Sequence, residues 1–174
     1  MRIIIKSIST IVLTILLSFC FSYTTVKKEG KEEVLVGVLF ELLNVYHVAP
    51  EKIDDSFSEK AFDIYIKRLD YDKMYFTKSD INILSTNKKQ IDDEIHNKTF
   101  NFYNLSNEIL TKRIEFVKNF YPEILAKPID FSKDEIYETD EEKRDFAQDE
   151  TELKENWRKL IKYEVLIKLN DLYE

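Results

Sequence analysis

Glycine is almost missing from this chain. Only Gly30 and Gly37 occur in 174 residues, so nothing from Val38 to Glu174 can supply a glycine-dependent phosphate loop, nucleophile elbow or other close backbone cradle. Proline is nearly as scarce. Pro50, Pro122 and Pro128 are the three present, which leaves long stretches free of breakers and points to helices. The single cysteine, Cys20, lies in an apolar leader, so a chain that has lost the leader can build neither a disulfide framework nor a thiolate metal site. Basic residues number 26 against 33 acidic ones, and a formal charge of −7 argues against a nucleic-acid partner, since phosphate neutralisation needs a basic face.

What is present begins with a leader. In "MRIIIKSISTIVLTILLSFCFSYTT", Arg2 and Lys6 form a basic n-region ahead of an uncharged, mostly apolar stretch from Ile8 to Phe21, the pattern of a secretory signal. Cleavage after Ser22 would set Cys20 and Ser22 at the small-residue positions, and losing the two cations would take the formal charge from −7 to −9. The expectation is a signal peptide over residues 1–22, a polar linker over 23–33, and an exported, periplasmic domain over 34–174. The alternative is an uncleaved membrane anchor, for which the stretch is short and interrupted by Ser and Thr. Lipid modification of Cys20 fits poorly, because Phe19 stands where a small residue is wanted.

Beyond the linker the period is helical. Val34, Leu35, Val38, Leu39, Leu42, Leu43 and Tyr46 form a first helix closed by Pro50. Ser56 and Glu59 have the S-x-x-E spacing of a capping box, followed by Phe57, Ala61, Phe62, Tyr65 and Leu69 on one face. Thr77 or Ser79 caps a third helix whose seam is Ile81, Leu84, Lys88, Ile91 and Ile95. A fourth runs from about Phe100 to Phe120. The last spans about Thr151 to Tyr173, with Leu153, Trp157, Leu160, Ile161, Val165 and Leu169 inward. The fold class is all-α, a multi-helix domain of about five helices, with an acidic irregular segment before the last.

The stretch "RLDYDKMYFTKSD" sets Asp70, Asp72 and Asp80 close together, which raises a calcium loop as a possibility. An EF-hand register from Asp70 puts Met74 at the fifth position, Tyr75 where glycine is needed and Ile81 where a bidentate glutamate belongs, so that reading fails. The expectation is an interhelical turn: Asp70 and Asp72 cap or solvate backbone ends while Tyr75 and Phe76 fold back onto the core. His47 and His96, the only histidines, fall on different predicted helices and form no zinc pair. Trp157 reads as core, and the acidic run "KDEIYETDEEKRDFAQDETELKE" as a solvated linker, with a docking surface as the alternative.

A resemblance adds to this reading. "FELLNVYHVAPEKIDDSFSEKAFDIYIKRLDYDKMYFTKSDI" is similar to the start of the tail-specific, or carboxy-terminal processing, proteases, with landmarks at Ser58, Phe62, Leu69, Asp70, Phe76 and Asp80. Later landmarks follow in the same order. They are Phe102 and Tyr103 in "FNFYNL", Lys127, Pro128, Asp130 and Phe131 in "AKPIDF", and Leu153, Trp157, Lys162 and Leu169 in the final helical stretch. The resemblance implies an amino-terminal helical module that, in such proteases, precedes a PDZ domain and a catalytic domain with a serine nucleophile and a lysine base. Its implied partners are protein substrates and those two domains, with contact to a membrane only if the leader is uncut. No catalytic, cofactor-binding or metal-binding residue is assigned in this chain, and no cofactor is implied. The chain taken alone is expected to be inactive and to be a truncated or split product. The competing expectation is a stand-alone exported helical binding module for a protein partner.

Overall fold

The computed structural model describes residues 30–47 and 52–173. The leader, and with it the signal-peptide reading, lies outside them. Among the described residues six helices follow in chain order: α1 (Lys31–Tyr46), α2 (Asp55–Leu69), α3 (Lys78–Ser85), α4 (Ile91–Asn97), α5 (Asn101–Leu125) and α6 (Glu150–Tyr173). Among the described residues there is no strand, only one parallel bridge between Thr77 and Ala147, and no helix is long and apolar enough to cross a membrane.

Helix α2 starts two residues earlier than the Ser56–Glu59 capping box predicts. Asp54, in extended conformation, accepts from the amides of Ser56 at 3.0 Å and Phe57 at 3.3 Å. It is the residue whose carboxylate faces the open amides of the first turn, and Ser56 already lies inside that turn. Of the two candidates Thr77 and Ser79, Thr77 caps α3, in a box that it shares with Asp80.

The predicted third helix is two helices. Thr86, Asn87, Lys88 and Gln90 donate their amides to carbonyls three residues back, a 3₁₀-type tightening, while the Ser85 and Thr86 hydroxyls donate to the Ile81 and Ile83 carbonyls. These short side chains compete for helical acceptors, and the polar run Asn87–Gln90 offers no apolar residue to hold a continuous helix on the core. The break lets α4 turn onto α2. There the Ser58 hydroxyl donates to Asp92 Oδ1 at 2.6 Å and accepts from the Asp92 amide at 2.8 Å, with both residues buried. Lys98 ends α4 at a φ of 54°, a left-handed cap usually given to glycine.

The core forms between α2, α3 and α5. Phe62, Ile66, Phe76, Leu84, Phe102 and Ile109 are buried together, with Tyr65, Leu69, Ile81 and Ile91 packed around them. Phe102 stands 5.4 Å from the Phe62 ring and 5.1 Å from Tyr65, close enough for edge-directed aromatic contact. Helix α5 runs past its predicted end at Phe120 and through Pro122 to Leu125.

Helix α1 behaves differently. The residues whose spacing predicts it, Val34, Leu35, Val38, Leu39, Leu42, Leu43 and Tyr46, are 46–76% exposed. The helix is apolar on nearly every side, so only one stripe can meet the body. Within that stripe Phe40 touches the His96 ring at 5.4 Å, and Gly37 lies against Lys98.

Candidate functional site

The turn from Asp70 to Asp80 joins α2 to α3 and organises the remaining helices. Asp70 is buried, and its carboxylate accepts three backbone amides: Met74 at 2.9 Å, Tyr75 at 3.0 Å and Phe76 at 2.8 Å. Lys73, at a φ of 52°, makes the left-handed step that brings those amides round. Burial pushes the Asp70 carboxyl above its ordinary value, against the opposing pull of the three amides. Both oxygens are engaged by amides, and Asp72 beside it is exposed, so this is an interhelical turn.

Phe76 is fully buried, and Met74 beside it is also in the core. Trp157 of α6 donates its indole N–H to the Met74 carbonyl at 2.7 Å and meets the Tyr75 ring at 5.8 Å. It is half-buried, its polar edge spent on the turn, which adds a fixed role to the core packing expected of it.

At the other end of the turn, Arg113 of α5 reaches Asp80 with Nε at 2.7 Å and Nη2 at 3.0 Å, and Glu150 of α6 with Nη1 at 2.7 Å. One guanidinium therefore ties α3, α5 and α6. Burial raises the Asp80 carboxyl, but the Arg113 bonds and the Thr77 donors outweigh it and leave the pKa below the ordinary value.

The acidic segment is not the free linker its composition predicts. Glu135 accepts from Arg158 and from Lys162 at 2.8 Å, and Lys162, which is buried, also donates to the Lys133 carbonyl at 2.7 Å. Bonds from Arg158, then Lys162, hold the Glu135 carboxyl down at about 2. Further along, Lys73 donates to the Arg144 carbonyl, Arg144 Nη1 donates to the Asp72 carbonyl at 2.7 Å, and the Lys78 amide donates to the Ala147 carbonyl at 2.8 Å. Irregular backbone with this many anchors is a strap between α5 and α6. Composition does not report such anchors, because each partner is remote in sequence.

Apart from half-buried Leu69 and Trp157, the landmarks fall into two sets. Ser58, Phe62, Asp70, Phe76, Asp80, Phe102, Leu153 and Lys162 are buried and build the frame just described. Tyr103, Lys127, Pro128, Asp130, Phe131 and Leu169 are exposed, with Asp130 accepting from the Ser132 amide and hydroxyl. The buried serines are engaged structurally: Ser58 with Asp92, and Ser106 with Tyr65 at 2.7 Å and the Tyr103 carbonyl at 2.8 Å. Among the described residues no group of three or more His, Cys, Asp or Glu side chains is placed to hold a metal ion. His96 directs Nδ1 at the Asp92 carbonyl at 2.6 Å, and exposed His47 ends α1.

Taken together, the helices, the amide-filled Asp70 turn and the strap define an all-α scaffold whose polar side chains mostly hold backbone in place. The chain belongs to the family described as the tail specific protease N-terminal domain, whose model matches residues 39–173. That range runs from the middle of α1 to the last residue of α6. No curated protein matches the chain.

Proposed function

We propose that this domain is the non-catalytic helical module of a periplasmic tail-specific serine protease, helping to position protein substrates for PDZ and Ser–Lys catalytic domains. Membership of the family over residues 39–173 is the observation that carries this reading. The internal engagement of its buried polar groups supports it. The Ser58 and Asp70 side chains satisfy backbone and neighbours, and neither is presented to a substrate. Export by the leader is part of the same proposal.

The test joins this module to the PDZ and catalytic segments of a tail-specific protease and follows cleavage of an unfolded protein with an apolar carboxy terminus. The expected result is a fall in kcat/KM when the module is removed, while the module alone leaves the substrate intact and takes up no serine-reactive fluorophosphonate. Unchanged kcat/KM without the module would overturn the positioning role. Binding of a partner with no effect on cleavage would favour the stand-alone binding module. Intact mass of the periplasmic product checks export: loss of about 20 to 25 residues is expected, and a full-length cytosolic species would refute it.

A further inference from the structure

A cavity of about 510 Å³ opens where the Asp70 turn, the strap and α6 meet. Its wall is aromatic: Tyr71 and Tyr75 come from the turn, Tyr137 from the strap, and Trp157 and Tyr163 from α6. Two ring pairs are packed against each other, Tyr75 on Trp157 at 5.8 Å and Tyr137 on Tyr163 at 5.4 Å. The charged lining residues are four carboxylates, Asp70, Asp72, Glu141 and Glu164, and one cation, Arg144.

Two of these charges are already committed. Asp70 is saturated by backbone amides, and Arg144 donates to the Asp72 and Glu138 carbonyls while its guanidinium lies 5.0 Å from the Tyr137 ring centre. Among the described residues, the side chains of Asp72, Glu141 and Glu164 form no ion pair with a cation. Within the same wall Arg144 lies over the Tyr137 ring, and Lys67 lies over the Tyr71 ring at 5.8 Å, so two of these tyrosines already take a cation on a face. Asp72 and Glu164 also act on a common point. The Tyr137 hydroxyl is held above its ordinary range by burial; the Arg144 field opposes this, and Asp72 and Glu164 each add a smaller push upward.

We propose that this cavity binds the cationic side chain of a lysine or arginine in an extended polypeptide, the cation seated among the tyrosine rings between Asp72 and Glu164. Aromatic faces and carboxylates without an ion-pair partner favour the same charge, and the half-buried rings of Tyr75, Tyr137, Trp157 and Tyr163 exclude enough water for that preference to count, while Tyr71 lies exposed at the mouth. An anionic or purely aliphatic group would leave the carboxylates uncompensated. The site stands apart from the positioning role proposed above, since it requires no protease domain.

Trp157, the only tryptophan in the chain, forms part of the wall and reports occupancy by its fluorescence. The full chain is titrated with acetylated, amidated pentapeptides that differ only at a central lysine, arginine, norleucine or citrulline. Saturable fluorescence change with the first two, at a Kd of about millimolar or tighter, is expected, weakening with added salt. Butylammonium should compete with the lysine peptide. The double variant Asp72→Asn/Glu164→Gln alters two exposed side chains and should keep the wild-type melting temperature while weakening binding by about tenfold or more. Equal binding of the norleucine or citrulline peptide, unchanged affinity in the folded double variant, or no saturable response to either cationic peptide would each overturn the proposal.

Discussion

Arg113 and Asp80 form a two-point contact, Nε to Oδ2 at 2.7 Å and Nη2 to Oδ1 at 3.0 Å, between the middle of α5 and the first turn of α3. Asp80 simultaneously accepts the Thr77 amide and hydroxyl, each at 2.8 Å, so a single carboxylate closes a helix cap and an interhelical ion pair. The planar guanidinium fork suits this pairing in a way a lysine ammonium does not.

Removing the cation should therefore strand a mostly buried carboxylate. Arg113→Met is expected to destabilise the fold by about 2 to 4 kcal/mol, and Arg113→Lys to recover less than half of that. Urea unfolding of the two variants and of Asp80→Asn, combined in a double-mutant cycle, measures the coupling. Purely additive losses would show that the two residues act independently.

The Asp70 turn makes a prediction about calcium as well as stability. Phe76→Ala should cost about 3 to 5 kcal/mol through lost burial and an unfilled cavity. Asp70→Asn should cost about 1 to 3 kcal/mol, because one amide oxygen cannot accept three N–H groups. Calcium should leave the melting temperature of the wild type and of Asp72→Ala alike. A large calcium-dependent rise that Asp72→Ala abolishes would contradict the turn. Asp70 has a folded pKa raised above its ordinary value, so the folded state takes up its proton first as pH falls. Its own contribution then rises slightly over that window, and Asp70→Asn should lack this gain.

Acid should release the strap. The Glu135 pKa is depressed to about 2 from an ordinary value of 4.5, so its contribution is fully present above about 4.5 and disappears as pH falls toward 2. Asp80, whose folded pKa is also lowered, adds a loss of the same sign below its ordinary value of 3.8. Hydrogen exchange in residues 126–149 should accelerate through this window before the amides of α2 and α5 do. Glu135→Gln should show the faster exchange already at neutral pH. Equal protection of strap and core down to pH 2 would refute the clamp.

Much of the fold follows from local sequence. Phe62, Tyr65 and Leu69 at helical spacing, Thr77 three residues before Asp80, and the scarcity of glycine and proline each act over a few residues, so most helices, the α3 cap and the Asp70 turn are legible without a partner. The landmarks from Ser58 to Lys162 likewise identify the family, though their order alone does not say that Ser58 answers Asp92. Tertiary structure decided the rest. The local bonds of Ser85 to Gln90 break Ile81 to Ile95 into two helices, but where the second helix docks depends on Ser58 of α2 meeting Asp92 across space, and whether "KDEIYETDEEKR" is linker or strap depends on Arg158 and Lys162 standing opposite Glu135. The outward face of α1 is a further case, because apolar spacing specifies a helix but does not specify a surface to receive it. The aromatic, acidic cavity was invisible for the same reason. Its tyrosines come from three segments, and charge and ring density meet there only after the strap is pinned.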